Sequence, residues 1–216
     1  REIKYLDCMK EKIIKTNINS LFSTPIYITQ LNRKFSNTEY KLIEKSKIKP
    51  IENEGNYTSN ENYILNTKNF SNLKKELDKK VKDYFYNVMS VSNNVDPYIT
   101  QSWLNYTEKN QYHHKHSHLN SIVSGVLYIN ADKKNDKIKF FKSNYQIIQL
   151  PIKEYNLWNS ESWWFPVETG KLFLFPSSLE HMVEKKQGTN TRISLSFNTF
   201  VKGKIGIKDK LTELIL

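Results

Sequence analysis

The sequence contains one cysteine, Cys8, among 216 residues. A lone cysteine cannot form an internal disulfide, which excludes a disulfide-stapled secreted domain and any metal site built from several thiolates. There is also no run of about 18 apolar residues, the length that a membrane-spanning helix requires. Residues 1–7 lack the apolar core of a secretory signal. These absences predict a cytoplasmic protein with no membrane segment.

Acidic residues are fewer than basic ones: the sequence has 22 Asp and Glu and 33 Lys and Arg, which gives a net charge of +11. A basic surface attracts polyanions, so nucleic acid is one possible partner. The lysines, however, are scattered in short pairs such as Lys74-Lys75 and Lys185-Lys186. The abundant Asn, Ile, Lys and Tyr all have A/T-rich codons, so a skewed genome explains much of the excess charge. The charge therefore does not favour nucleic-acid binding, and the sequence does not determine the oligomeric state.

The length suits one well-buried domain with appendages. We expect a helical arm at 1–17, a single domain at 18–203 and a C-terminal tail, a short helix or loose end, at 204–216. Apolar residues at helical spacing predict a supporting helix at about 69–89.

From Tyr98 onward the apolar periodicity changes to two, which is typical of strands. The predicted strands are 98–107, 111–117, 122–130, 136–142, 145–151, 171–176, 180–185 and 191–201. Short strands after a helical start predict a mainly β fold with supporting helices, a jelly roll or cupin-like double-stranded β-helix with its core at about 98–201.

All five histidines lie in two segments of this β region: His113, His114, His116 and His118, and then His181. Residues two apart on a strand face the same side, so His114, His116 and His118 should project together while His113 points away. A neutral imidazole is the commonest metal ligand, and His181 could complete a three-ligand facial set. Such sets with open positions suit iron(II) oxygen chemistry. Because the ligands must be neutral, activity should fall as the pH drops through the histidine range.

Three segments resemble the 2-oxoglutarate and iron(II)-dependent oxygenases, closest to a prolyl-hydroxylase-like branch. They run from Asn105 to Ile129, from Gly170 to His181 and from Arg192 to Asn198. The resemblance covers about residues 98–201. It implies a dioxygenase of the hydroxylase type that uses iron(II), 2-oxoglutarate and dioxygen, with an unknown primary substrate.

The resemblance also implies roles for particular residues. The metal ligands would be His116, His118 and His181, and Arg192 would hold the far carboxylate of 2-oxoglutarate. A guanidinium can bind a carboxylate through two charge-assisted hydrogen bonds. The remaining candidates for cosubstrate binding are Ser194, two residues further on the same strand face, Tyr128 and Asn105.

One position departs from the family pattern, because no Asp or Glu occurs from Gln111 to Asn130 and His118 stands where the acidic ligand is expected. Three arrangements remain open. The site could have three histidine ligands, His118 could lie outside the coordination sphere with water in its place, or His114 and His116 could be the ligands. We prefer His116, His118 and His181, with His114 in reserve, because this set keeps the family's order. Glu180 should face away from His181.

A segment rich in aromatic residues, 155–167, contains three of the four tryptophans. It could cover the pocket, stack on a flat substrate, or fill space between barrel and helices. Two other functional classes stay open: a cupin-like three-histidine metalloenzyme that does not use 2-oxoglutarate, and a basic binding module with a structural metal. The first leaves Arg192 and Ser194 unexplained. The second is disfavoured because structural zinc sites usually fill all four positions with Cys and His, and this sequence has no cysteine near its histidines.

Overall fold

The computed structural model describes residues 17–142 and 150–216. The strands in these residues are β1 (Tyr27–Gln30), β2 (Ile51–Asn53), β3 (Asn56–Thr58), β4 (Val95–Thr107), β5 (His113–His116), β6 (Val123–Asn130), β7 (Lys137–Phe141), β8 (Ser162–Pro166), β9 (Lys171–Pro176), β10 (His181–Val183), β11 (Arg192–Ile205) and β12 (Leu214–Ile215). The helices are α1 (Asn37–Lys47) and α2 (Ser71–Asp83), with a π turn, Tyr84–Val88, after α2. Short 3₁₀ turns occur at Ile64–Asn66 and Lys68–Phe70, before α2, and at Lys208–Lys210.

The strands form two antiparallel sheets. The larger has the order β1-β9-β6-β11-β4-β3-β2, with β12 paired to the end of β11, and the smaller has the order β5-β10-β7-β8. From β4 to β11 the chain alternates between the two sheets, apart from the consecutive pair β7 and β8, as in a double-stranded β-helix. The fold class predicted from the sequence is confirmed.

Alternation along the central strands of the larger sheet separates two apolar clusters. Leu127 and Leu195 pack on one side with α2, whose Leu73 and Leu77 are fully buried. On the other side, Tyr128 joins a smaller cluster between the sheets. Since successive strand residues face opposite sides, each central strand contributes both to the helix-backed core and to the barrel interior. The interior is where the candidate site lies.

Several elements differ from the sequence prediction. Ser162–Pro166, expected within a loop, forms edge strand β8 because Trp163 and Trp164 extend along β7. The C-terminal tail contains a short 3₁₀ helix, Lys208–Lys210, but it is not loose, because Leu214 and Ile215 pair with β11. The predicted strand 145–151 falls mainly on residues outside the described part, as does the predicted arm at 1–17 except for Asn17. In the described part, no helix is long and apolar enough to cross a membrane.

Candidate metal and cosubstrate site

Two short strands of the smaller sheet bring distant histidines together. His181 on β10 is the register partner of His116 on β5. His118 follows β5 in a turn, where its backbone N–H donates to the carbonyl of Ser177 at 2.9 Å. One ring nitrogen from each of these histidines lies within 4.8 Å of the others. The fold therefore assembles a group of three imidazoles from segments separated by more than sixty residues of sequence.

The Nδ1 atom of each of these rings faces an oxygen. His116 Nδ1 lies 2.8 Å from the carbonyl of His114, and His181 Nδ1 lies 3.1 Å from the carbonyl of Leu179. A backbone carbonyl only accepts, so both Nδ1 atoms must carry the proton. His118 Nδ1 lies 2.5 Å from Oδ1 of Asn198. This arrangement leaves the Nε2 lone pairs free, and a hydrogen bond at the other nitrogen is typical of metal-bound histidines.

The free nitrogens converge. His116 Nε2 and His118 Nε2 lie 3.1 Å apart. The amide oxygen of Asn198 also only accepts, so His118, like His116, carries its proton on Nδ1. Neither Nε2 then has a proton to donate, and two lone pairs face each other at hydrogen-bond distance. Two ligands at right angles on an ion with bonds of about 2.1 Å would be separated by about 3.0 Å. The arrangement can therefore hold a divalent metal ion.

Burial keeps these imidazoles neutral. Burial, helped by the neighbouring histidines, lowers the pKa of His181 to about 3 and that of His116 to about 4. Burial also lowers the pKa of His118, although its bond to Asn198 partly opposes the effect. Phe140 and Phe175 pack against the ring of His181, with centroids at 6.2 and 4.7 Å. The group is thus ready to bind metal at neutral pH without first losing protons.

His113 does not point away, as simple alternation predicted. The register between β5 and β10 shifts between the pairs His181–His116 and Val183–His113, so β5 carries an extra residue there. A bulge of this kind breaks the period of two. The ring of His113 therefore stacks on His116, with centroids 4.6 Å apart.

The bulge also creates a second group of ligand atoms within 4.8 Å of one another, from His113, His114 and His116. Its members are more exposed, and it shares His116 with the first group. In the described residues no carboxylate joins either group. Glu180 instead pairs with Lys115 at 2.8 Å, on the outer surface.

The residues expected to bind 2-oxoglutarate meet across three neighbouring strands. Ser194 on β11 is the register partner of Asn105 on β4 and of Tyr128 on β6. Register partners share a face of the sheet, so these three side chains face the barrel interior together. Arg192, two residues before Ser194, lies on the same face and is 3% exposed.

Two polar atoms in this group have no hydrogen-bond partner among the described residues: the hydroxyl of Tyr128 and Oδ1 of Asn105. Burial raises the pKa of Tyr128, which therefore keeps its proton as a donor. Its pKa is also lowered by the charge of Arg192 and raised by that of Asp136, so both charges act on this hydroxyl. Buried polar groups are normally paired, and unpaired ones mark places that receive a ligand or water. An unpartnered donor beside a buried guanidinium fits a carboxylate.

Sequence reasoning missed the ion cluster around Arg192. Asp136 and Lys186 are each 1% exposed; Asp136 Oδ1 lies 3.3 Å from Nη1 of Arg192 and 3.3 Å from Nζ of Lys186. No sequence signal distinguished Lys186 from the exposed Lys185 beside it. Asn198 was also missed as the partner of His118, although the polar alternation of β11 that starts at Arg192 and Ser194 continues to it.

A cleft of about 390 Å³ opens beside the histidines and is lined on its other sides by Trp103, Gln101 and Asn53. The rings of Trp103 and His118 have centroids 5.9 Å apart. The tryptophan-rich segment lies elsewhere: Trp163 and Trp164 line a separate cavity of about 700 Å³ that none of the histidines lines. The opening next to the candidate metal site is thus lined mainly by β2, β4 and β5, not by that segment.

Residues 101–198 match a sequence family described as "Putative 2OG-Fe(II) oxygenase". This stretch, somewhat less than half of the chain, is similar to the 2-oxoglutarate and iron(II) oxygenases. A comparison with curated proteins finds no significant match.

Several solved oxygenase structures share the fold. A 2OG-Fe(II) oxygenase family oxidoreductase from Burkholderia pseudomallei is 12% identical, with a TM-score of 0.55, and the match covers 81% of this chain and 83% of that one. HygX from Streptomyces hygroscopicus, solved with nickel and 2-oxoglutarate, is 11% identical, with a TM-score of 0.55 and 82% of each chain covered. A Pseudomonas putida prolyl-4-hydroxylase is 10% identical, with a TM-score of 0.54 and 82% and 92% covered.

The oxygenase family uses iron(II) and 2-oxoglutarate, and both have a chemically suitable place in this chain. Three neutral imidazoles, each with a ring nitrogen within 4.8 Å of the others, fit a divalent metal. Arg192 and the unpartnered hydroxyl of Tyr128 fit the distal carboxylate of the cosubstrate. The one departure from the usual two-histidine, one-carboxylate set is the third histidine.

Proposed function

We propose that the chain is a hydroxylase-type dioxygenase whose metal ligands are His116, His118 and His181. The observation that carries this assignment is the approach of two unprotonated Nε2 atoms to 3.1 Å, with Nδ1 of each ring held by an acceptor. His114 remains the alternative ligand. His118 is preferred because it shares its group with the buried His181, whereas His114 belongs to the more exposed group.

Arg192 and Tyr128 bind the distal carboxylate of 2-oxoglutarate in this proposal, with Ser194 and Asn105 beside them on the same face of the larger sheet. Bound iron(II) supplies the centre at which dioxygen oxidatively decarboxylates 2-oxoglutarate and a substrate is hydroxylated. The chain orients the cosubstrate through charge-assisted hydrogen bonds. Phe140 and Phe175, packed on His181, exclude water from that side of the centre.

The cleft beside the histidines is the proposed place for the primary substrate. Asn53 and Gln101 provide hydrogen-bonding amides there, and Trp103 provides an aromatic surface. In the described part of the chain, no Lys or Arg lines this cleft although the chain is basic. This lining supports the expectation that the substrate is not nucleic acid. A cytoplasmic location also stays a prediction, since it depends on the lone cysteine.

Anaerobic reconstitution with iron(II), followed by 2-oxoglutarate, tests the assignment. A visible metal-to-ligand charge-transfer band is expected, and Arg192→Ala should abolish it at cosubstrate concentrations that saturate the wild type. Lys185→Ala is the matched control, because it removes an exposed cation from the connection between β10 and β11 that leads to Arg192. This control should keep the wild-type band. Failure to bind iron(II) above background would refute the assignment.

The second candidate function is a three-histidine metalloenzyme that does not use 2-oxoglutarate. The absence of a carboxylate from the histidine groups of the described residues favours it. It leaves the buried Arg192 and the unpartnered Tyr128 hydroxyl without a role. Metal binding with no 2-oxoglutarate-dependent band, and dioxygen consumption that does not require 2-oxoglutarate, would select this alternative.

A further inference from the structure

Two cations and one carboxylate form a buried cluster next to Tyr128. Lys186 Nζ lies 3.3 Å from both oxygens of Asp136 and 2.9 Å from Oδ1 of Asn190, and Arg192 Nη1 lies 3.3 Å from Oδ1 of Asp136. The side chains of Lys186 and Asp136 are 0% exposed, and that of Arg192 is 3% exposed. With all three ionised, the cluster has one excess positive charge.

That excess charge depends on Lys186. An isolated pair of Asp136 and Arg192 would be neutral, and the carboxylate of Asp136 would compete with any other carboxylate for the guanidinium. Lys186 contacts both oxygens of Asp136 and neutralises it, so the charge of Arg192 is not cancelled. A buried uncompensated charge is costly, and an incoming anion removes that cost.

The backbone holds both partners in place independently of their charges. The Lys186 N–H donates to the carbonyl of Gln111 at 2.8 Å, and the Lys186 carbonyl accepts from the Asn110 N–H at 2.9 Å. The Asp136 N–H donates to the carbonyl of Asp132 at 2.7 Å. Side-chain substitutions can therefore change the charge of the cluster while these backbone contacts remain.

We propose that Lys186 is a positioning residue for 2-oxoglutarate: by neutralising Asp136 it leaves Arg192 free to bind the distal carboxylate. The inference rests on the proposed function. Lys186 acts through Asp136 and needs no contact with the cosubstrate. The contribution of Lys186 to 2-oxoglutarate affinity should be electrostatic and should therefore depend on the net charge of the cluster. Lys186 should make no contribution to the binding of a 2-oxo acid that lacks the distal carboxylate.

A double-mutant cycle tests this. The affinity of the iron(II)-loaded protein for 2-oxoglutarate is measured anaerobically, from the charge-transfer band and by calorimetry, for wild type, Lys186→Met, Asp136→Asn and the double variant. Lys186→Met removes the excess charge and should weaken binding roughly 10- to 100-fold. Asp136→Asn adds a charge and should bind as tightly or more tightly. The double variant restores the wild-type charge and should recover most of the affinity.

Two controls separate charge from damage to the fold. Binding of 2-oxopentanoate, which lacks the distal carboxylate, should not differ between the variants, and neither should the affinity for manganese(II) alone. A double variant that binds 2-oxoglutarate more weakly than Lys186→Met would overturn the inference. The two substitutions remove charges of opposite sign, so their electrostatic effects on binding should cancel, whereas their effects on the fold would add. If Lys186→Met is too unstable to measure, the affinity of Asp136→Asn for 2-oxoglutarate tests the inference instead. Weaker binding by that variant than by the wild type refutes the inference.

The two proposals fail in different ways. Wild-type protein that binds iron(II) but not 2-oxoglutarate refutes the proposed function and this inference with it. A second outcome separates the two proposals: the wild type binds both iron(II) and 2-oxoglutarate, Arg192→Ala loses 2-oxoglutarate binding, and Lys186→Met retains it. That result supports the proposed function and refutes only the role of Lys186.

Discussion

The side chain of Asn198 lies 2.5 Å from Nδ1 of His118 and thereby directs Nε2 of that ring toward His116. Ser124 Oγ donates to the same Oδ1 atom at 3.0 Å. A residue at the interior face of β11 thus sets the tautomer of a histidine that follows β5. The contact matters because the sequence resemblance places His118 where an acidic ligand is expected.

Removing this acceptor should weaken metal binding. Asn198→Leu should lower manganese(II) affinity about 10- to 100-fold, the usual effect of losing a hydrogen-bond partner of a metal ligand. Asn198→Asp retains an acceptor and should keep most of the affinity. Asn53→Leu is the matched control, since its amide contacts Nε2 of His113 at 3.4 Å instead. Equal losses in the Asn198→Leu and Asn53→Leu variants would contradict the assigned role.

The ligand set can be resolved by single substitutions. His116→Ala, His118→Ala and His181→Ala should each lower manganese(II) affinity by roughly 100-fold or more, since a lost ligand matters more than a lost outer partner. His114→Ala should lower it less than about tenfold. Calorimetric titration of the four variants measures this. A severe loss in His114→Ala with a mild one in His118→Ala would move the metal to the more exposed group.

Metal binding should tolerate mild acid, in contrast to the fall through the histidine range that ordinary histidine pKa values led us to expect. A histidine with its ordinary pKa of about 6.5 competes with metal for protons as the pH falls through that value. Burial lowers the pKa of His116 to about 4 and that of His181 to about 3. The folded protein therefore takes up few protons at these sites between pH 7 and about 5. Manganese(II) affinity measured across this range should stay nearly constant; a tenfold loss per pH unit just below about 6.5 would show that the rings are not shielded.

The same lowered pKa values make the metal-free protein less stable in acid. An unfolded chain binds protons at these histidines below about pH 6.5, whereas the folded chain does so only near pH 3 to 4. The contribution of these histidines to the free energy of unfolding is fully present above their pKa in the unfolded chain. It is lost as the pH falls toward their pKa values in the folded protein. Urea unfolding of the metal-free protein at about pH 7 and about pH 5 should show the decrease, and His181→Asn should reduce it. An unchanged pH dependence in that variant would contradict the account.

Tyr128→Phe should change stability and cosubstrate binding in opposite ways. The hydroxyl has no partner among the described residues, so its removal should leave the unfolding free energy of the ligand-free protein unchanged or slightly higher. A hydrogen bond to a charged group contributes about 1.5 to 3 kcal/mol, so 2-oxoglutarate affinity should fall roughly tenfold or more. Tyr106→Phe, which removes the hydroxyl that donates to the carbonyl of Ile43 behind the sheet, is the control. It should destabilise the protein without affecting the cosubstrate.

The local sequence pattern was enough to predict the β fold, because the alternation of apolar and polar residues is visible within each strand by itself. The apolar residues of Lys171–Pro176 and the polar alternation from Arg192 to Asn198 are visible without any partner strand. The same rule was wrong for His113, since the bulge depends on how β5 pairs with β10. It also missed β8, where aromatic residues extend along β7 instead of forming a loop.

The sequence by itself determined the fold class, the residue types of the site and the order in which they occur. Only the tertiary structure decided which of them meet, because contacts such as His116 with His181 and Arg192 with Asp136 depend on pairing between distant strands. The burial of Lys186 next to an exposed Lys185 is likewise a product of three-dimensional packing. Charge and hydrogen bonding act over a few ångströms in space, and sequence spacing does not specify those distances.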